Sequence, residues 1–312
     1  MNSVEPIIET RGLIKRFDAT AAVDELTFTV DRGEIFGLVG PDGAGKTTTM
    51  RMLAGVMRPD GGSIVIDGVD VVADPEEGKQ HISYMPQRFG LYEDLTVDEN
   101  IRFYADLFAV PASTREERAR RLLAASGMTQ FGSRLAGQLS GGMKQKLGLT
   151  CALVHTPRIL LLDEPTTGVD PVSRRDFWRI LYGLREDGVT IVITTAYLDE
   201  AERCNRLALL HSGRALYCDT PAALKQRMPG ALVVILSPDG RRVGSAIADC
   251  EGVSNVILVG DGVHAVVDNA ELRIPQLRRA LQSAEVPFAE IAVGEPSIED
   301  VFVALLEGKN RQ

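Results

Sequence analysis

Cysteine and long apolar runs are scarce in this sequence, and each scarcity closes off a class of protein. The four cysteines stand at 151, 204, 218 and 250 with no CxxC pair. That spacing suits neither a zinc site nor a disulfide framework, so they read as buried thiols of a reducing compartment. Nowhere do about 20 apolar residues run without a charge, and the opening MNSVEPIIETRGLIKRF lacks the apolar stretch of a signal peptide. The chain is therefore expected neither to span a membrane nor to be exported. Basic charge is not in excess either: 34 Lys and Arg against 43 Asp and Glu leave a net charge of −9, so no nucleic-acid partner is expected. Repeats and low-complexity segments are missing as well. What is present, 312 residues at 45% apolar and 25% charged, is enough for one sizeable core and a further small domain.

One stretch organises the rest. Gly40-Pro41-Asp42-Gly43-Ala44-Gly45-Lys46-Thr47 fits GxxxxGK[ST], between the apolar strand pattern Ile35 to Val39 and a helical pattern opening at Thr47-Thr48. It reads as a P-loop: free amides at the helix start and the helix dipole favour phosphate. Its glycines let successive amides point inward, Lys46 brings charge to the β- and γ-phosphates, and Thr47 offers a hydroxyl to Mg²⁺. A second anion-binding helix N-terminus is Leu139-Ser140-Gly141-Gly142-Met143-Lys144-Gln145, opening a helix to about His155. The run Ile159 to Leu162 has the pattern of a buried parallel strand and ends in two acids, Asp163 and Glu164, where a site is expected. Asp170 then caps a helix that begins at Pro171 and runs to about Glu186. Phe17, in a loop between the first two strands, either stacks on a nucleotide base or belongs to the core.

Around these motifs, strands and helices alternate as in an α/β layered sheet. Ile7 to Leu13 and Ala22 to Val30 form an antiparallel pair, with short strands at 63–68, 81–86 and 190–194 and a hairpin about Ser212-Gly213. From 88 to 158 the period turns helical, with S/T-x-x-E capping boxes at Thr96 and Ser113. Beyond Pro229 the pattern restarts as a small α+β domain. Its strands are Ala231 to Leu236, Val253 to Val259, Val263 to Val267 and Val286 to Val293, and its helices Pro275 to Ser283 and one from Pro296.

Taken in order, the P-loop, Gln87 after a short strand, LSGGMKQ at 139–145, ILLLDE at 159–164 and the Asp170 turn resemble the ATP-binding subunit of an ABC transporter, over roughly residues 7–228. The resemblance implies a P-loop NTPase cassette at 1–228, with a RecA-like core, an antiparallel β subdomain and a helical signature subdomain, then an accessory domain at 229–312. It implies ATP and Mg²⁺, with Asp163 holding the metal through water, Thr47 and Gln87 touching it, Lys46 at the phosphates and Glu164 activating or orienting the attacking water. Gly40 to Thr48 and Phe17 would hold one nucleotide, while Ser140, Gly141, Gly142 and Asp170 would face another, held by a second ATP-binding subunit, identical or a paralogue.

The implied partners are ABC permease subunits, and the implied location is cytoplasmic, on the inner face of the cell membrane. The tail Glu295 to Phe302 is similar to the closing segment of cassettes that serve separately encoded exporter permeases, which points to efflux. Two departures stand out: Asp42, expected to face outward, replaces a common Asn, and Ala196 replaces a histidine that hydrogen-bonds the γ-phosphate. The alternative function is therefore an ATP-gated clamp with little turnover. The four histidines read as structural.

Overall fold

The computed structural model describes residues 5–88, 90–260 and 262–310; positions 1–4, 89, 261, 311 and 312 of the expected domain ranges lie outside the described residues. The chain forms two compact units that divide between Cys218 and Asp219. The sequence suggests a boundary ten residues later.

In the first unit, strands β1 (Ile8–Phe17) and β2 (Thr20–Val30) pair antiparallel, ending on Phe17 opposite Thr20. Phe17 is thus the last residue of a strand and not part of a loop. The pairing continues through the charged Lys15 and Arg16, where the hydrophobic pattern has already stopped. Strand β3 (Ile35–Val39) is buried along its whole length and delivers the chain to the P-loop and to helix α1 (Lys46–Leu53). Strands β4 (Gly61–Ile66) and β5 (Val69–Asp70) complete a four-stranded sheet in the order β2-β1-β4-β5. Helix α2 (Pro75–Gln80) and strand β6 (Ile82–Met85) lead to the helical region, α3 (Val97–Leu107), α4 (Ala112–Ala125) and α5 (Gly141–Leu153).

The capping box expected at Thr96 forms, with Glu99 N–H on the Thr96 hydroxyl and the Glu99 carboxylate on Thr96 N–H. The one expected at Ser113 does not. Helix α4 starts earlier because Pro111, with φ −56°, leads into it and its carbonyl accepts from Thr114 and Arg115, leaving Ser113 inside the helix.

The remaining elements are β7 (Ile159–Asp163), α6 (Pro171–Glu186), β8 (Thr190–Thr195), α7 (Leu198–Ala201), β9 (Arg206–His211) and β10 (Arg214–Asp219). The core sheet runs β10-β9-β3-β8-β7-β6, and the pairs from β9 to β6 are parallel. Successive residues of β7 and β8 face opposite layers. Leu161 and Val192 join Met50 and Leu53 of α1, while Leu160 and Ile191 pack on Leu149 of α5 and Trp178 of α6. Cover on both faces is why these strands read as unbroken apolar runs.

The second unit begins with helix α8 (Pro221–Lys225), which the sequence assigns to the cassette but which packs on the last helix here. It continues with β11 (Ala231–Leu236), α9 (Gly240–Ile247), β12 (Val253–Val259), β13 (Gly262–Val267), α10 (Ala270–Ser283), β14 (Glu290–Val293) and α11 (Ile298–Asn310). The antiparallel order β12-β13-β11-β14 with the connection βαββαβ is a ferredoxin-like topology. Helix α9 has no counterpart in the sequence reading, since it opens on Gly240 and contains Gly244, both poor helix formers. Helix α10 starts five residues before the expected Pro275, because Asn269 caps it by accepting from Leu272 N–H.

Candidate functional site

The P-loop turns at the carboxyl end of β3. Gly45 caps α1 at φ 98°, and a Cβ there would lie 2.4 Å from the carbonyl oxygen of Ala22, so only glycine fits. Lys46, 4% exposed, donates to the carbonyls of Gly40 (2.9 Å) and Pro41 (3.1 Å) and lies 3.1 Å from Glu164 Oε1. Asp42 points outward as expected, its side chain 97% exposed. Gly43 and Ala44 complete the turn, and Thr47 and Thr48 open α1 half-buried.

Strand β7 delivers the two acids beside this turn. Asp163 Oδ1 accepts from the hydroxyls of Thr47 (3.0 Å) and Thr194 (2.7 Å), and Oδ2 from Tyr84 (3.3 Å). Burial, followed by the charge of Asp163, pushes the Tyr84 hydroxyl up to about 12, so it stays a donor. Glu164 adopts φ 48°, a left-handed conformation disfavoured for a residue with a Cβ, and its N–H donates to Thr194 Oγ1 at 2.8 Å. Its Oε2 accepts from Gln87 Nε2 (3.0 Å) and Thr167 Oγ1 (3.4 Å). Thr194 therefore grips both acids at once. Nothing in the sequence sets it apart from a packing threonine in an apolar strand.

Five other expected site residues stand apart from this cluster. Phe17 is 46% exposed, with Lys15 Nζ 5.9 Å from its ring centroid. Ser140 caps α5 by accepting from Met143 N–H at 3.3 Å. A Cβ on Gly142 would meet Ser173 Cβ at 2.5 Å, whereas Gly141 has only the Gly168 carbonyl at 3.9 Å. Asp170 caps α6 by accepting from Val172 and Ser173 N–H, and the Ser173 hydrogen bonds hold its carboxyl below the usual range. Among the described residues, no side-chain hydrogen bond of Ser140 or Asp170 reaches the P-loop of the same chain.

A groove of about 770 Å³ between α4, α5 and α6, lined by Leu122, Lys146 and Ile180 among others, contains none of these residues. Three of the four histidines make side-chain contacts elsewhere: His81 bonds Asp67, His155 stacks on Phe108, and His264 bonds Asp300.

The ABC transporter family profile matches residues 23–167. The chain is 44% identical over 310 residues to the probable multidrug ABC transporter ATP-binding protein YbhF of Escherichia coli, covering 97% of this chain and 53% of YbhF, so it spans about half of that relative. It is 36% identical to the daunorubicin/doxorubicin resistance ATP-binding protein DrrA of Streptomyces peucetius, over 96% of this chain and 92% of DrrA. With the Nod factor export ATP-binding protein I of Burkholderia pseudomallei it shares 38% identity over 97% of both chains. A solved ATP-binding subunit of an ABC transporter superposes with a TM-score of 0.64 at 32% identity, covering 71% of this chain and 92% of that one. The dimeric cassette MJ0796 gives 0.63 at 25%, covering 68% and 98%. With its P-loop, paired acids and signature helix in one fold, and relatives matched almost end to end, the chain belongs to the ATP-binding proteins of the ABC transporter family.

Proposed function

We propose that this chain hydrolyses ATP with Mg²⁺ and thereby powers export through separately encoded permease subunits. The observation that carries the reading is the meeting of Lys46, Thr47, Gln87, Asp163 and Glu164 within about 3 Å contacts at the carboxyl ends of β3 and β7. Lys46 and the α1 amides would bind the β- and γ-phosphates. Glu164 would orient water and take its proton as the water oxygen bonds to the γ-phosphorus and the bond to the bridging oxygen breaks, leaving ADP and phosphate.

A metal fits the same corner. Thr47 Oγ1 and Asp163 Oδ1 stand 3.0 Å apart, one hydroxyl and one carboxylate, the sparse oxygen set that suits Mg²⁺ when phosphates and water complete its shell. Thr47, Asp163 and the Gln87 amide oxygen would hold the ion, which supplies charge to the phosphoryl group being transferred.

Ser140, Gly141 and Gly142 open a second anion-binding helix N-terminus that their own P-loop does not use. A second ATP-binding subunit, either another copy or a paralogue, would place this N-terminus and Asp170 on the triphosphate gripped by the first, with Phe17 stacked on the base. The names of the relatives support export: multidrug transport, daunorubicin resistance and Nod factor export. No helix among the described residues is long and apolar enough to cross a membrane. A membrane subunit is proposed to dock near Gln87; Tyr92, five residues along the chain, packs on Phe103 at 4.6 Å, and the two rings remain 47% and 37% exposed. That would hold the chain on the cytoplasmic face.

Phosphate release by the purified chain, compared with its Lys46→Ala variant, tests the ATPase reading; equal release overturns it. Copurification with a polytopic membrane protein tests the transport reading. Ala196 supports the second reading, an ATP-gated clamp, because it has no donor for the γ-phosphate. ATP binding with negligible steady-state turnover would favour the clamp.

A further inference from the structure

We propose that Glu200 is a positioning residue of the ATPase site, holding the segment after Glu164 and the end of β8 just before Ala196 in a single register. This inference rests on the ATPase reading above. Glu200, in α7, is fully buried. Its Oε2 accepts from Thr166 Oγ1 (3.0 Å) and Thr195 Oγ1 (2.8 Å), and its Oε1 accepts from Trp178 Nε1 (3.1 Å). Arg174 Nε, at 3.8 Å, is too far for a hydrogen bond, but its charge is near; the same guanidinium lies over the Tyr197 ring at 4.4 Å and 3.6 Å from Asp199.

These partners are the two ends of the catalytic corner. Thr194 and Thr195 are neighbours at the end of β8 and point to opposite sides. Thr194 holds Asp163 and the Glu164 N–H, whereas Thr195 holds Glu200 and also accepts from Tyr197 N–H at 3.0 Å. Thr166, two residues past Glu164, reaches the same carboxylate. The segment carrying Glu164 is thus gripped before and after the acid, by Thr194 and, through Thr166, by Glu200. That matters because Glu164 sits at φ 48°, a conformation that persists only when its surroundings dictate it. Trp178 anchors the carboxylate to α6, which the core fixes.

Glu200 accepts all three of these bonds. Three donors converge on two oxygens, and a glutamine would set an NH₂ against either the indole N–H or the two hydroxyls. The hydroxyls can turn to accept, so Glu200→Gln keeps the volume while loosening the Thr166 and Thr195 links.

The test compares Glu200→Gln, Thr166→Val and Trp178→Phe with the wild type, after circular dichroism and thermal melting have established that each folds. ATPase kinetics and hydrogen–deuterium exchange over residues 163–170 are then measured. Glu200→Gln and Thr166→Val are expected to lower kcat about tenfold or more while leaving KM within about twofold, the split that lost transition-state alignment produces. Both should speed exchange in 163–170, and Trp178→Phe, which removes only the Oε1 anchor and leaves both threonine links, should lower kcat and speed exchange less than either. Wild-type kcat and protection in a folded Glu200→Gln protein would overturn the proposal. So would equal losses in all three variants that track melting temperature, which would mark a merely structural carboxylate. A wild type no faster than Lys46→Ala refutes the ATPase reading, while the exchange comparison still decides whether Glu200 holds this segment.

Discussion

Lys46 Nζ lies 3.1 Å from Glu164 Oε1, which joins the P-loop lysine directly to the acid at the end of β7. Both side chains are nearly buried, so each is the other's main charge partner. A bound triphosphate would compete for Lys46 and free Glu164 to face water. Glu164→Gln keeps the Gln87-side geometry but removes the charge and the proton acceptor. ATP affinity should hold or rise while kcat falls by about 10²–10⁴. Phosphate-release kinetics and titration with a fluorescent ATP analogue check this together.

Phe17 offers an exposed ring at the end of β1. Aromatic stacking contributes roughly 0.5–1.5 kcal/mol beyond burial, so Phe17→Ala should weaken nucleotide binding by up to about tenfold and Phe17→Trp should preserve it. Nucleotide titrations of the two variants read this out. Equal affinity in Phe17→Ala would return the residue to a structural role.

Ala196 follows Thr195 on the exposed side of the catalytic corner. One donor aimed at transition-state charge is worth about 10²–10³ in rate. Ala196→His is therefore expected to raise kcat by tenfold or more with little change in ATP affinity. An unchanged kcat would mean that another group already supplies the donor.

Asp67, in the β4–β5 turn, collects Arg32, Arg158 (2.7 Å) and His81 (3.1 Å) at the end of the core sheet opposite the P-loop. The Arg32 hydrogen bond, then that of Arg158, holds its carboxyl down at about 2, against an ordinary 3.8. A folded value below the unfolded one adds stability that is present above about pH 4 and lost as pH falls towards 2. The arginines are largely solvated, so the contribution is on the order of 1 kcal/mol. Thermal melts from pH 7 to pH 2 should show a steeper acid loss for wild type than for Asp67→Asn.

The parts of this structure that depend on local chemistry were legible from the residues. Ser140 and Asp170 cap their helices, β7 is a buried parallel strand ending in its acids, and α6 runs from Pro171 to Glu186. Most of what escaped depends on tertiary pairing: Phe17 is strand because Thr20 lies opposite, and α8 packs within the second unit. Helix α10 is the exception, its start set by a local asparagine cap ahead of the proline. In the site, Thr194 and Glu200 look ordinary in sequence. The β7–β8 register that sets Thr194 opposite Asp163, and the buried carboxylate that gathers Thr166 and Thr195, exist only in the fold.

The central claim is that each triphosphate is held between the P-loop of one copy and the Ser140 segment of another. Sedimentation of Glu164→Gln at saturating ATP and Mg²⁺ tests it most directly. The account predicts a dimer that returns to monomer when ATP is removed and that Ser140→Arg abolishes; a Glu164→Gln protein that stays monomeric with ATP fully bound would contradict it.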